Sequence, residues 1–206
     1  MIILENVNKK YDNKSILSNF SLNVDKGEFV SIIGPSGSGK TTILNLIGLL
    51  DSPESGNVRI DKYMNPNKKE TVYLRRYIYG YIFQNYVLME NETVSKNLLI
   101  SKAYNQNFTQ EMMAETLESV GLSSAILNKK VYQLSGGEQQ RVSIARVMLK
   151  PCKIILADEP TGNLDNSNKD IIISLFHYFK KVGKTIVCVT HDKEVAGNSD
   201  RIITLN

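Results

Sequence analysis

A glycine-rich octapeptide has the residue types and spacing needed to bind phosphate: Gly34-Pro35-Ser36-Gly37-Ser38-Gly39-Lys40-Thr41. It fits the pattern Gly-x4-Gly-Lys-[Ser/Thr], in which glycines allow a tight turn whose backbone N–H groups face an oxyanion. The N-terminus of the helix predicted from Thr42 adds its positive dipole end. Lys40 would then reach the β- and γ-phosphates and the Thr41 hydroxyl would bind Mg²⁺. An ordinary glycine-rich turn is the alternative, but the strand predicted before the loop favours a nucleoside triphosphate site.

Two adjacent carboxylates, Asp158 and Glu159, follow the apolar run Ile154 to Ala157. Such a run predicts a buried strand, and the C-terminal ends of parallel strands meet at the ligand crevice. Asp158 would bind Mg²⁺ directly or through water, while Glu159 would leave the strand in another direction and orient a water at the γ-phosphate. Adjacent carboxylates repel, and a dication between Asp158 and phosphate would relieve this repulsion. An acidic turn is common in isolation, so the hypothesis depends on the phosphate loop.

The third feature is the segment Leu134-Ser135-Gly136-Gly137-Glu138-Gln139-Gln140-Arg141. Ser135 and Glu138 have the spacing of a capping box at the start of a helix. Gly136 and Gly137 would leave backbone N–H groups on a bare surface, which predicts a second anion-binding helix end. A plain helix start explains Ser135 and Glu138, but it does not explain two glycines that each weaken a helix by up to about 1 kcal/mol.

These residues need elements to position them, and strand and helix signals alternate at both ends of the chain. This alternation predicts an α/β fold with a parallel sheet, while residues 85–150 have helical spacing and no strand signal. We therefore expect a single domain over 1–206, with a core lobe of about 1–84 and 151–206 and a helical lobe of about 85–150. The predicted strands are Ile2 to Tyr11, Phe20 to Val24, Glu28 to Ile33, Val58 to Ile60, Tyr77 to Phe83, Ile154 to Ala157, Thr185 to Val189 and Arg201 to Leu205; the principal helices are Thr42 to Leu50, one opened by Leu134 and stopped by Pro151, and Lys169 to Lys181.

Composition excludes several other classes of protein. The 25 Lys and Arg against 21 Asp and Glu give a formal net charge of +4, which is too small to indicate nucleic-acid binding. No apolar run approaches the roughly 18 residues of a membrane span, and the N-terminus resembles no secretory signal. Cys152 and Cys188 are predicted to be buried free thiols. We expect a soluble chain that stays in the cytoplasm unless a partner holds it at a membrane.

Taken in order, these motifs resemble those of the ATP-binding subunits of ABC transporters over essentially the whole chain. The segment from Leu134 to Glu138 is similar to the signature sequence that separates this family from kinases and GTPases. The resemblance implies a P-loop NTPase fold with a RecA-like parallel core, an antiparallel β subdomain and a helical insert. It also implies hydrolysis of ATP with Mg²⁺ in an ATP-dependent, head-to-tail homodimer, where the phosphate loop of one copy faces Ser135, Gly136 and Gly137 of the other.

Four further positions match the family one by one. Tyr11 resembles the aromatic residue that stacks on adenine, although an exposed turn tyrosine is the alternative. Gln84 resembles the glutamine that senses metal and γ-phosphate, and His191 resembles the switch histidine that contacts the γ-phosphate. Asn163-Leu164-Asp165 resembles the loop that crosses the dimer seam. The resemblance thus implies catalytic roles for Glu159 and His191, metal binding by Thr41, Gln84 and Asp158, and nucleotide contacts from Tyr11, Gly34, Pro35, Ser36, Gly37, Ser38, Gly39, Lys40, Thr41, Thr42, Gln84, Ser135, Gly136, Gly137, Glu138 and Asp165. His177 matches no family position and is interpreted as packing or surface.

Three segments are similar to the branch that contains macrolide exporters, lipoprotein-release systems, and antimicrobial-peptide exporters and resistance pumps: Leu156 to Asp165, Gly48 to Asp51 and Leu74 to Gln84. Membership implies a transmembrane permease partner on the cytoplasmic face, and a chain held peripherally at the inner face of the cell membrane. Asn85 to Glu92 is more acidic than is usual there, which leaves partner and substrate open. One alternative is a membrane-associated ATPase that transmits force in cell division or signalling. A soluble ABC ATPase acting on ribosomes or DNA is disfavoured by the single cassette, the lack of a heptad run and the small positive charge.

Overall fold

The computed structural model describes residues 1–12, 14–162 and 164–205, and in these ranges nine strands form two sheets. One sheet is antiparallel with the order β2-β1-β4-β5, and the other is parallel with the order β6-β7-β8-β3-β9. The strands are β1 Ile2–Tyr11, β2 Lys14–Val24, β3 Phe29–Ile33, β4 Ser55–Ile60, β5 Tyr63–Met64, β6 Tyr79–Ile82, β7 Ile154–Asp158, β8 Thr185–Val189 and β9 Arg201–Thr204.

Helices cover the sheets and make up most of the segment between β6 and β7. The only strand pairing described within residues 85–150 is one isolated bridge between Thr93 and Lys130. The α-helices are α1 Lys40–Ile47, α2 Lys68–Tyr77, α3 Val94–Leu99, α4 Glu111–Ser119, α5 Gly136–Met148, α6 Asn166–Lys181 and α7 Lys193–Gly197, with short 3-10 helices at Ile100–Ala103, Ser124–Asn128 and Val131–Gln133. None of the helices in the described ranges is both long and apolar enough to cross a membrane.

The parallel sheet separates two hydrophobic clusters, because successive residues of a strand point to opposite faces. In β7, Ile155 packs with the helices α5 and α6, whereas Leu156 packs toward α1 and the antiparallel sheet. On the first face Phe29 and Phe176 meet edge to face with their ring centroids 5.6 Å apart. Strands buried on both faces read as continuous apolar runs, which is why this sheet was visible in the sequence.

Most predicted elements are confirmed, but several boundaries were wrong. β2 begins at Lys14 instead of Phe20, and α1 ends at Ile47, before Leu49 adopts a left-handed φ of 58°. The strand predicted from Tyr77 begins at Tyr79, because Tyr77 ends the unpredicted helix α2. Helix α7 was also not predicted. The helix expected from Leu134 begins at Gly136 with Ser135 as its cap. Both cysteines are free and buried, as predicted.

Candidate functional site

The phosphate loop occupies residues 34–39, between β3 and α1. Gly37 and Gly39 have φ values of 79° and 94°, in the left-handed region where side chains are strained. A Cβ on Gly34 would lie 2.8 Å from the Leu205 carbonyl oxygen, so the loop passes too close to the chain for a side chain. Gly39 is the N-cap of α1, and no side chain among the described residues caps this helix. The N–H groups of the first turn are therefore available to an anion.

Two side chains of the loop also fit a phosphate. Lys40 Nζ donates to the carbonyl oxygens of Gly34 and Pro35, each at 2.9 Å, which holds the ammonium group over the loop. The Ser38 hydroxyl oxygen is buried and has no hydrogen-bond partner within the described residues. Buried polar atoms normally have partners, so an orphaned hydroxyl inside a phosphate loop indicates a ligand-binding position.

Asp158 lies at the end of β7, with Oδ1 3.4 Å from the Thr41 hydroxyl oxygen. Burial raises the pKa of Asp158; the neighbouring Glu159 raises it further, against the opposing effects of Thr41 and Lys40. A divalent cation beside these oxygens would offset both burial and repulsion. The described residues contain no cluster of three or more His, Cys, Asp or Glu side chains suited to a metal. One carboxylate, one hydroxyl and phosphate oxygens are nevertheless the usual surroundings of Mg²⁺ in such sites, so the donor set fits it.

Glu159 contacts the segment after β8, whereas Asp158 contacts Thr41. The orientation of a water at the γ-phosphate by Glu159 stays a prediction. The Glu159 φ of 44° is left-handed, a conformation that costs about 1–3 kcal/mol and concentrates at functional sites. Oε2 accepts two hydrogen bonds, from Thr190 Oγ1 at 3.1 Å and His191 N at 3.2 Å, and it lies 2.9 Å from His191 Nδ1. The Glu159 side chain is 14 % exposed, whereas that of His191 is 73 % exposed. The carboxylate is thus held in one orientation at the edge of the sheet.

A cavity of about 430 Å³ brings the phosphate loop and these carboxylates together. Parallel strands β3, β7 and β8 all end here, which explains how residues more than 100 positions apart share one site. Its lining consists of Ile16, Ser36, Gly37, Gly39, Lys40, Thr41, Thr42, Gln84, Asp158, Glu159 and His191. A larger hollow of about 660 Å³ lies between β4 and α2 and contains no phosphate-loop residue.

The start of α5 is not among the residues that line this cavity. The predicted capping box is present: Ser135 Oγ accepts from Glu138 N at 3.3 Å, and Glu138 Oε2 accepts from Ser135 N at 2.8 Å. That Ser135 N–H lowers the pKa of Glu138. Gly136 is exposed, but the expectation of a bare surface is wrong for Gly137, which is buried. A Cβ there would lie 2.5 Å from Asn168 Cγ, so close packing against α6 explains this glycine.

Tyr11 and Asp165 also lie outside the lining of the cavity. Tyr11 ends β1 and is 43 % exposed as a residue, and its hydroxyl donates to Asp51 Oδ2 at 2.5 Å. This bond is the main reason why the pKa of Tyr11 is raised. Lys9 Nζ donates to the other Asp51 oxygen at 2.7 Å and lies 5.0 Å from the Tyr11 ring centroid. Asp165 is the N-cap of α6, and the predicted seam residue Asn163 lies outside the described residues.

The sequence missed several residues that hold the site. Thr190 is fully buried and binds Glu159, and Lys9 and Asp51 hold the Tyr11 hydroxyl. Their partners are 31 to 42 positions away, and no local pattern marks such pairs. His177 lies apart on the surface, where Nε2 is 3.0 Å from Asn198 Oδ1, which confirms its interpretation as a surface residue.

Comparison with known proteins decides the family. The family model described as ABC transporter matches residues 17–162. The chain belongs to the ABC transporter family. It is 41 % identical over 210 residues to the macrolide export ATP-binding/permease protein MacB of Campylobacter jejuni, an alignment that covers all of this chain and 33 % of MacB. It is 40 % identical to YknY of Bacillus subtilis, an uncharacterized ABC transporter ATP-binding protein, over 98 % of this chain and 92 % of YknY.

The fold agrees with solved ABC cassettes. The bacterial ABC transporter cassette MJ0796, in a structure described as dimeric, has a TM-score of 0.89 and 43 % identity over 100 % of this chain and 94 % of that one. Another structure of MJ0796, described as a post-hydrolysis state bound to ADP and Pi, has a TM-score of 0.89 and 42 % identity. The predicted α/β P-loop fold is confirmed, and the chain is an ABC-type, ATP-binding ATPase cassette. It spans about one third of the length of the MacB relatives that it matches.

Proposed function

We propose that the cassette hydrolyses ATP with Mg²⁺ between two head-to-tail copies of the chain, and that this drives a membrane permease exporting or extracting a peptide, lipoprotein or drug-like substrate. The observation that carries the dimer is the composition of the cavity. It gathers the phosphate loop, Asp158, Glu159 and His191, while Ser135 and Gly136 are exposed and do not line it. A second copy would supply that helix end to the γ-phosphate.

In this proposal each side chain of the cavity has one task. Lys40 and the N–H groups of the loop would bind the β- and γ-phosphates, and Thr41, Asp158 and Gln84 would hold Mg²⁺. Magnesium would neutralise charge on the phosphate oxygens. Glu159 accepts a proton from the attacking water, whose oxygen bonds to the γ-phosphorus as the bond to the ADP oxygen breaks. His191 and Thr190 fix the Glu159 carboxylate beforehand, so its orientation does not have to be established during the reaction.

Tyr11 would stack on adenine, since its half-exposed ring is fixed by Asp51 and Lys9 beside the loop. Asp165 would face the second copy. We further propose that residues 1–84 and 151–206 form the lobe that binds nucleotide and that residues 85–150 form the lobe that carries the signature helix. The two lobes would act together as one cassette.

The membrane partner is supported by the relatives. MacB is named as an ATP-binding/permease protein, and this chain aligns with about one third of it, so a permease would lie in the remainder or in a separate chain. The cassette would then be held at the inner face of the cell membrane. Co-purification of the tagged chain with a polytopic membrane protein from detergent-solubilised cells supports this placement, and recovery of the chain with ribosomes or DNA instead would contradict it.

The experiment for the dimer uses Glu159→Gln, which removes the base but leaves an oxygen to accept from Thr190 and His191. With Mg-ATP we expect this variant to bind nucleotide, to lose hydrolysis by at least about 10²-fold and to sediment as a dimer. Lys40→Ala is the control: it should lose nucleotide binding by calorimetry and stay monomeric. A Glu159→Gln variant that hydrolyses normally, or that binds Mg-ATP and stays monomeric, contradicts the proposal.

A further inference from the structure

Asn168, in the first turn of α6, joins two parts of one copy that are far apart in sequence. Its Oδ1 accepts from Arg141 Nη1 on α5. Its Nδ2 donates to both carboxylate oxygens of Asp165, at 3.0 Å and 2.9 Å, and its backbone N–H donates to Oδ1 at 2.8 Å. The amide oxygen therefore accepts from the signature helix, and the amide nitrogen donates to Asp165. Only this orientation of the amide satisfies all of these bonds.

Gly137 makes room for this amide. A Cβ at position 137 would lie 2.5 Å from Asn168 Cγ and 2.7 Å from Nδ2, both far inside van der Waals contact. Any larger residue at position 137 would displace the amide from Arg141, from Asp165 or from both. The second glycine of the signature segment is thus explained by the position of Asn168.

The Arg141 side chain makes the contact between α5 and Asn168 of α6 costly to break. Arg141 is 9 % exposed, and its Nε has no hydrogen-bond partner among the described residues. A buried guanidinium needs acceptors, so the bond to Asn168 Oδ1 is costly to lose. The next residue, Lys169, pairs with Asp192 at 2.8 Å, beside His191. One turn of α6 thereby holds the signature helix on one side and the segment of His191 on the other.

We infer that Asn168 is a positioning residue that fixes Asp165 to the first turn of α5, so that both are presented to a second copy as one rigid surface. The inference rests on the proposed function, which places these two parts at the dimer seam. Asn168 itself does not line the cavity that contains the phosphate loop, so its effect falls on dimer formation and leaves nucleotide affinity unchanged.

The decisive variant is Asn168→Asp, which keeps the shape of the side chain. An aspartate still accepts from Arg141 and still fits against Gly137, so the packing remains. It presents an oxygen to Asp165 in place of the N–H donors, and two carboxylates then repel each other. The variant thus removes the side-chain link to Asp165, while the backbone N–H of residue 168 and the contact with the signature helix remain.

The experiment is made in the Glu159→Gln background, with dimerisation measured by sedimentation velocity and nucleotide affinity with a fluorescent ATP analogue. We expect Asn168→Asp to weaken Mg-ATP-dependent dimerisation by about tenfold, with affinity for the analogue and melting temperature unchanged. Asn166→Ala, at an exposed position of the same turn, is the matched control and should behave as the parent.

A second pair tests the steric part of the inference. Gly137→Ala should weaken dimerisation, because the new Cβ displaces the amide. Adding Asn168→Ala removes the atoms that clash, so the double variant should dimerise no worse than Asn168→Ala alone. Losses that simply add in the double variant would contradict the inference.

Four other results would overturn the inference about Asn168. If Asn168→Asp dimerises like the parent, or loses stability and ATP affinity together, the residue does not act by positioning Asp165. An Asn168→Asp chain that fails to fold likewise overturns the inference, since the amide then supports the cassette as a whole. If the Glu159→Gln parent itself binds Mg-ATP and stays monomeric, the proposed function fails and this inference fails with it.

Discussion

Replacing His191 by alanine tests whether this residue acts through Glu159. In the structure Thr190 Oγ1 and His191 N donate to Glu159 Oε2, and the His191 ring places Nδ1 2.9 Å from the same oxygen. His191→Ala removes the ring contact and leaves the base and both hydrogen-bond donors in place. Since the imidazole is 73 % exposed, solvent weakens its hold, and we expect kcat to fall by about tenfold and not by the 10² or more of losing the base.

The double variant gives the sharper result. If His191 works only by orienting the Glu159 carboxylate, then Glu159→Gln/His191→Ala should be no slower than Glu159→Gln, because the group being oriented is already gone. Phosphate release at saturating Mg-ATP measures all three variants, and His177→Ala, on the surface away from the site, is the control. If the fold-reductions in kcat of the two single variants multiply in the double variant, this reasoning is refuted and a separate contact of His191 with the γ-phosphate is favoured.

Three further predictions concern charge and the nucleotide base. Because burial and Glu159 raise the pKa of Asp158, Asp158→Asn should raise the melting temperature of the nucleotide-free chain while abolishing Mg²⁺-dependent hydrolysis; a lower melting temperature in differential scanning calorimetry would be inconsistent with this. Tyr11→Ala should weaken ATP binding but not tripolyphosphate binding by calorimetry, since only ATP carries a base for the ring to stack on, and equal losses for both would exclude stacking. Burial raises the pKa of Asp51, but hydrogen bonds from Lys9, Tyr11 and Ser52 outweigh burial and leave it below 3.8. The ionised Asp51 carboxylate therefore stabilises the fold above that pH, and this contribution is lost as pH falls through the lowered pKa. Urea unfolding at several pH values should show that the free energy of unfolding falls less with acid in Lys9→Met than in the parent. Identical dependence on pH in the two proteins would contradict a stabilising ion pair.

The sequence predicted the parts of the site that depend on local pattern. The phosphate loop, the strand before Asp158 and the capping box at Ser135 each involve residues within a few positions of one another, so spacing alone revealed them. Helix α2 also has such a signal, since Asn67 caps it and Glu70 completes a capping box. No helix was predicted between the strands Val58 to Ile60 and Tyr77 to Phe83, so this local signal was missed.

The remainder depends on contacts that the chain makes only when folded. The pairs between Lys9 and Asp51 and between Glu159 and His191 are made by residues more than 30 positions apart, and neither residue type indicates its partner. Gly137 also could not be interpreted correctly from sequence alone. Its place after Ser135 and Gly136 suggested an exposed anion site, but in the structure it packs against the Asn168 amide. A glycine in a helix is explained by what packs against it, which the sequence does not show.

The central claim is that one ATP site needs residues from two copies. Its most direct measurement mixes Lys40→Ala, which lacks a working phosphate loop, with Ser135→Arg, which blocks the signature helix. Each variant alone should be inactive. In a mixture of equal amounts each mixed dimer keeps one of its two sites, so we expect ATPase activity to be recovered, up to about one half of the parent activity if every dimer is mixed. If the mixture stays as inactive as the separate variants while mixed dimers form, or if Ser135→Arg alone hydrolyses ATP at the parent rate, the claim is contradicted.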